Sequence, residues 1–447
     1  MDLVALELVD AGLRLVSPRG AVSAPSPGLA LIEGNEITVG HDAVCVARLT
    51  PRRLHSRFWQ DLGSTPLGRP FPGHLRTADL AHAHLKAFWE ASGWETSEVI
   101  VAVPGVYSED QLALFLGIAR ELKIPVRGLV DAAVAATADQ ETNAHCLHLD
   151  LNLHRVVLTE LRVGEEVAVE AVFTEPSVGL ASLRDIWAQS IARVFVRTTR
   201  FDPLHLAATE QVLYAQLDDH LASLMTAAST QVSIPSSGRR HVVDIDRSAV
   251  VDAALPAYDV VSSMASDPRF SEDATVLLTD RAASLPGLTD HLSERTGREI
   301  ATLHPAAAAA GALQHAKSIR APGPALPFVT RLPRIDTRPQ GLVTVQVAPP
   351  KERLRHQPTH LVIDGIARRI GGEPLLLGLS GNENEARKDR ELATVRRVSG
   401  QVVVDAPLGA GVIVNGEPLD GRAALSSGDQ LILRGSDTPI QAVTLVE

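Results

Sequence analysis

The chain has 447 residues, 45% of them hydrophobic and 21% charged, with 42 basic side chains against 53 acidic ones and a formal charge of −11. Such a length gives two to four domains, each with a core of its own. The acidic balance argues against nucleic acid as a partner. Cys45 and Cys146 stand far apart in no metal or redox motif. Asp2, Glu7 and Asp10 interrupt what a leader peptide would keep apolar, and no run approaches the roughly 20 apolar residues that span a bilayer. A cytoplasmic protein without a membrane partner is expected.

In chain order, Leu3–Leu8 and Leu13–Val16 have strand length, separated by Ala11-Gly12. Leu29–Ile32 and Glu36–Val39 follow, joined by a Gly34-Asn35 turn. Thr77–Ala91 carries Leu80, His84, Leu85 and Phe88 at the spacing of one buried helix face. Glu98–Val103 is a fully apolar strand ending at Pro104-Gly105, and Ser108–Asp110 starts a helix to Leu122. A short strand then enters a small-residue helix at Asp131.

From His145 the order repeats in outline. Strand-like runs at Cys146–Leu149, Arg155–Leu161 and Val167–Phe173 precede a helix over Leu180–Val196. His205–Thr226 reads as a helix, Gln231–Ile234 and His241–Ile245 as a hairpin, and Asp246–Met264 as a helix again. A strand at Val276–Leu278, a helix near Leu288–Thr296 and an alanine-rich helix to Ile319 close the region. The periodicity supports an α/β chain with mixed sheets. Residues 320–357, punctuated by proline and locally basic, read as a linker with one strand at Leu342–Val347. From Pro358 onward the chain is all-β, with strand-like runs at His360–Ile363, Leu375–Leu379, Ala393–Val398, Gln401–Val404, Gly411–Val414, Gln430–Leu433 and Ala442–Val446.

The stretch VIVAVPGVYSEDQL, then KIPVRGLVDAAVAATA, then HCLHLDLNLHRVVLTEL resembles the central part of the DnaK-type chaperone and actin-like ATPase superfamily. That resemblance implies a duplicated, two-lobed ATPase fold over residues 1–319. It also allows the nucleotide site to be tested residue by residue. The family's first phosphate hairpin, Asp-x-Gly-Thr, corresponds to Glu7-Leu8-Val9-Asp10, where Val9 fills the phosphate position and Asp10 adds a negative charge. The second hairpin keeps Asp150 but has Asn152 and Leu153 in place of glycines. Asp131 matches the acid before the family's Pro-Thr-Ala helix, and Arg57 falls near its catalytic lysine. The adenosine-binding Gly-Gly-Ser corresponds to Thr279-Asp280-Arg281, which should obstruct a purine.

The segment GAGVIVNGEPLDGRAALSSGDQLILRG resembles a forkhead-associated (FHA) domain, which implies a β-sandwich over residues 358–447. The phosphothreonine-binding residues implied by that resemblance are replaced by Leu379, Asp389 and Ala410, with Arg390 retained, so no phosphothreonine peptide is expected to bind.

His148, Asp150 and Asn152 share one strand face. Two readings are open there: a metal site with His145, His154 and Cys146 nearby, or polar side chains lining a cleft. The second is expected, with no resident metal and no catalytic group. The sequence thus predicts a bacterial, non-catalytic protein-interaction or regulatory scaffold without a cofactor. Its partner proteins are unidentified, and Glu7, Asp131, Asp150 and Asn152 line a vestigial nucleotide cleft. The alternative is a divergent chaperone-like ATPase that binds ATP and Mg²⁺ through the retained carboxylates.

Overall fold

Two sheets built on one plan organise the first two-thirds of the chain. In the first, Leu3–Glu7 lies beside Arg14–Val16 antiparallel and beside Glu98–Val103 parallel, and Val126–Asp131 extends the parallel side. In the second, His145–Leu151 likewise has one antiparallel and one parallel neighbour. It pairs antiparallel with Val156–Val163 on one side and parallel with Thr275–Leu278 on the other, followed by Ile300–Thr302. Glu166–Glu175 adds an antiparallel strand beyond Val156–Val163. Parallel neighbours need a helical crossover, which explains why strands and helices alternate along these stretches. Val99–Val103 is buried throughout, as expected of a strand covered on both faces.

The helices begin and end where local chemistry dictates. Ser108 Oγ accepts from the Gln111 amide at 3.2 Å, and the Gln111 side chain accepts from the Ser108 amide at 3.1 Å. Thr77–Ser92 stops at Gly93, whose φ of 72° suits glycine. Two alanine-rich helices, Ala132–Thr137 and Ala307–Gln314, leave the carboxyl ends of equivalent strands and pack on each other. A Cβ on Gly311 would lie 1.9 Å from the Ala135 carbonyl oxygen, so the two backbones meet directly.

The structure, a computed structural model, describes residues 2–334 and 358–443, apart from 35, 237, 322, 324–325, 364–365, 372–373, 379–390, 399–400, 408–409, 415–416, 420, 427 and 435–439. The chain is a mixed α/β protein that divides into two compact units, Met1–Ser236 with Arg240–Pro350, and Lys351–Glu447 with Ser237–Arg239. Among the described residues no helix is long and apolar enough to cross a membrane.

The expected linker differs from the structure at its start. Phe328–Val329 adds a parallel strand beside Leu129–Val130, and Arg331–Pro333 pairs with Glu166–Ala168. Proline punctuation hid these edge strands, but Leu332 is completely buried and anchors the second of them. The strand expected at Leu342–Val347 lies outside the described residues. The alanine-rich helix also breaks at His315, whose buried ring pairs with Asp139 at 2.8 Å.

In the second unit, two antiparallel sheets share one core that includes Leu361, Leu377, Val395, Val404, Leu425 and Leu431. Ile366–Arg369, Glu417–Leu419 and Gly421–Ala424 are strands that the apolar pattern did not announce. Each is short and rich in Arg, Gly or Pro, and each gains its ladder from a hairpin or sheet neighbour. Leu379, Asp389 and Arg390 lie outside the described residues.

Candidate functional site: a cleft filled by its own side chains

Glu7 ends the strand Leu3–Glu7 of the first sheet, and Asp150 lies one residue from the end of His145–Leu151 of the second. Thr279, Asp280 and Arg281 follow the neighbouring strand Thr275–Leu278. All therefore sit at the carboxyl ends of parallel strands, where open α/β sheets form their ligand crevices. Here the crevice holds a guanidinium. Arg281 Nη1 donates to Glu7 Oε1 at 2.7 Å, and its Nη2 donates to both Asp150 oxygens at 3.0 Å. Arg281 Nε also donates to Asp150 Oδ1 at 3.2 Å, and the Thr279 hydroxyl donates to the same oxygen at 2.8 Å. Next to this cluster, Arg14 Nη1 donates to Asp280 Oδ2 at 2.7 Å.

Burial by itself would push the Asp150 carboxyl up. The Arg281 charge, His148 and the Thr279 hydroxyl outweigh burial and hold it below the usual carboxylate value. Burial likewise works against the charge on Arg281, but Asp150, Glu7 and Asp280 hold its proton more tightly than in water. Both partners remain ionised, and each depends on the other.

A second bond joins the two halves. Val9 is buried, and Asp10 Oδ1 accepts from the Leu153 amide at 2.8 Å. The carboxylate expected to face a phosphate instead caps the turn of the opposite hairpin. Burial raises Asp10 to about 6, against the lowering effects of the Leu153 amide and Arg155. Asp131 is engaged locally, its Oδ1 accepting from the Ala133 and Val134 amides at 2.9 and 3.1 Å as the helix cap. Burial lifts Asp131 to about 6 as well, with the two cap bonds opposing. Gly105 is required beside it, since a Cβ there would lie 2.5 Å from Asp131 Oδ2. Asn152 is buried with its backbone bonded to Arg155 and Leu180 and its Oδ1 unpartnered.

Thus Glu7 and Asp150 meet on Arg281, whereas Asp131 and Asn152 have local engagements of their own. Arg281, expected to obstruct a purine, lies among the carboxylates instead. What remains open is a cavity of about 10 Å³ lined by Glu7, His148, Asp150, Thr279, Arg281 and His304 with small side chains. That is the room of about one water, against the hundreds of Å³ of a small-molecule pocket. Glu7 Oε2 and His148 Nε2 are buried without protein partners. Burial lowers His148 to about 4 despite Asp150, so its ring is neutral at pH 7.

No known protein family and no curated protein matches this chain. The cleft and its surroundings are what bear on function.

The histidines considered as metal ligands are dispersed. His154 Nε2 bonds to the Ser56 hydroxyl at 2.9 Å, while His148 faces the cavity. Among the described residues no group of three or more His, Cys, Asp or Glu side chains is arranged to hold a metal. Ser26 Oγ and His84 Nε2 lie 2.9 Å apart, which invites comparison with a nucleophile and its base. Trp59 Nε1 donates to His84 Nδ1 at 2.9 Å, however. Nε2 therefore carries the ring proton and donates to Ser26, so His84 cannot deprotonate that hydroxyl. Trp59, Trp89 and Trp187 are buried core residues, and Trp94 is half-buried.

Sequence reasoning missed Arg281 as the partner of Glu7 and Asp150. No local signal marked Arg281, which stands three residues beyond the apolar strand Thr275–Leu278, as a buried residue; its burial and its acids come from the packing of the two sheets.

Proposed function

We propose that this chain is a non-catalytic protein-interaction or regulatory scaffold, built on a DnaK/actin-type pseudo-ATPase and a degenerate FHA-like β-sandwich. The single observation that carries the reading is the Arg281 guanidinium held between Glu7 and Asp150. It supplies positive charge where the superfamily resemblance puts a magnesium-bound phosphate, and it leaves room for about one water. A feature common to the two sheets supports the duplicated fold: a strand with an antiparallel neighbour on one side and successive parallel strands on the other. The paired antiparallel sheets around one core support the sandwich. No cofactor is required by this reading. The partner is protein, with neither nucleic acid nor phosphothreonine peptide expected, and the cytoplasm is the proposed compartment.

Retention of Glu7, Asp131 and Asp150 favours the second reading, a divergent chaperone-like ATPase. Isothermal titration of the full chain with ATP and Mg²⁺ separates the two. The scaffold reading expects no binding heat up to millimolar nucleotide. Micromolar binding that disappears in Asp150→Ala would establish the ATPase reading in its place.

A further inference from the structure

The two-stranded sheet of Ser229–Ser236 and Arg239–Asp246 joins neither large sheet, and among the described residues neither of its outer edges has a strand neighbour. One of its faces is packed, with Val232, Ile234, Val243 and Ile245 buried in the core beneath it. The opposite face carries Arg240, Val242 and Asp244, all exposed, Val242 by 38%. Arg240 Nη1 reaches Ser233 Oγ at 3.4 Å, and Gln231 Nε2 donates to Asp244 Oδ1 at 3.4 Å, both at the long end of hydrogen bonding.

The two outer edges differ. The Arg247 amide donates to the Ala228 carbonyl at 2.8 Å, so the odd-numbered residues of the second strand turn their backbone groups toward the first strand. The even-numbered ones, Val242 and Asp244 among them, turn theirs to the outer edge. On the outer edge of Ser229–Ser236, Pro235 has no N–H to offer, a device that blunts a strand against pairing. Arg239–Asp246 contains no proline, and its charges change sign about Val242, with Arg240 two residues before it and Asp244 two residues after. Charges of one sign along that edge would repel a second copy, whereas this pattern is its own complement.

We propose that the outer edge of Arg239–Asp246 pairs antiparallel with the same edge of a second copy of this chain, about a two-fold axis at Val242. Val242 then exchanges both of its backbone bonds with Val242 of the second copy, and the two exposed valine side chains meet. On each side of the axis Arg240 lies directly opposite Asp244. A slip of one residue sets outward backbone groups against inward ones, and a slip of two puts Val242 opposite a charge. The product is a four-stranded sheet shared by two chains, a strand addition in which the partner is the protein itself. It goes beyond the scaffold reading and stands whatever the ATP titration gives, because no residue of the cleft takes part.

Sedimentation velocity of the full chain tests the pairing. A strand edge is small beside the roughly 1,200–2,000 Å² of a standard interface, so the dimer should form with rising concentration between about 10 and 200 µM. Asp244→Arg sets arginine against arginine on both sides of the axis and should weaken dimerisation at least tenfold. Adding Arg240→Asp to that variant reverses both signs and should restore the wild-type dimer. Val242→Pro removes the outward N–H at the axis and should also weaken dimerisation at least tenfold, with an unchanged far-UV spectrum, because that amide takes no part in the ladder to Ser229–Ser236. The charge variants decide the matter even where the proline unfolds the hairpin. A chain that stays monomeric throughout that range overturns the pairing. So does a dimer that Asp244→Arg leaves at wild-type strength, or one that the charge reversal fails to restore.

Discussion

Arg281 is the residue on which the cleft turns. Replacing it with Met leaves Glu7 and Asp150 buried without a counter-charge, a change that costs on the order of 3–5 kcal/mol. The native Asp150 carboxyl is held below its unfolded value, so its contribution is present above about pH 4 and is lost as pH falls through the folded value. In the variant, burial without the guanidinium pushes both carboxyls up, so urea denaturation should show a large Arg281→Met penalty at pH 7 that shrinks as they take up protons toward pH 4. Asp10 and Asp131 behave in the opposite sense. Their folded values near 6 mean that ionisation opposes folding, so their contribution is full below about pH 4 and disappears as pH rises through 6. Asn at either position keeps the Oδ1 acceptor and removes the charge. Each substitution should stabilise the protein by up to about 3 kcal/mol at pH 7.5, with no gain at pH 4.

Among the elements, the contact between the two alanine-rich helices has the least tolerance. Their sequences, AAVAAT against AAAAGALQ, are mostly alanine and glycine, which is why their backbones touch at Gly311 and Ala135. Gly311→Ala should cost roughly 1–3 kcal/mol or more by thermal unfolding, because backbone must move to admit the methyl group. Gly117, in the exposed face of helix Glu109–Glu121, has nothing within 4 Å of a built Cβ. The same substitution there should instead raise stability by about 0.5–1 kcal/mol through helix propensity and reduced unfolded-state entropy. One mutation with opposite signs at two glycines checks that the close approach, and not glycine itself, is what matters.

For the molecule as a whole, opposing titrations should flatten the pH profile. Burial lowers His84 to about 3 and His148 and His154 to about 4, so their protonation in the unfolded chain erodes stability as pH falls below 6.5. Asp10 and Asp131 take up protons in the folded state over much of the same range, which adds stability as pH falls. Two protons taken up by the aspartates offset most of the three that the histidines forgo between about pH 4.5 and 6. The double variant Asp10→Asn, Asp131→Asn should unmask the histidines, and stability should then fall by about 1.4 kcal/mol per pH unit for each histidine. Denaturation profiles of both proteins over that range check this.

Most elements of the first unit were legible because its strands are apolar runs and its helices repeat at 3.6 residues, signals that depend only on neighbours in sequence. Glu98–Val103 and Leu288–Thr296 have the bounds that the sequence predicts. Edge strands such as Arg331–Pro333 were not legible, because a short proline-bearing segment becomes a strand only when a sheet offers it a ladder. The site divides in the same way. By itself the sequence placed Glu7, Asp131 and Asp150 at the ends of apolar strands, with Val9 in the turn after the first and Asn152 and Leu153 in the turn after the last. Tertiary structure alone decided that Arg281 joins Glu7 to Asp150 across 274 and 131 positions, and that Asp10 reaches Leu153 across 143. Which acid a buried arginine meets depends on how two sheets pack, and no local pattern carries that information.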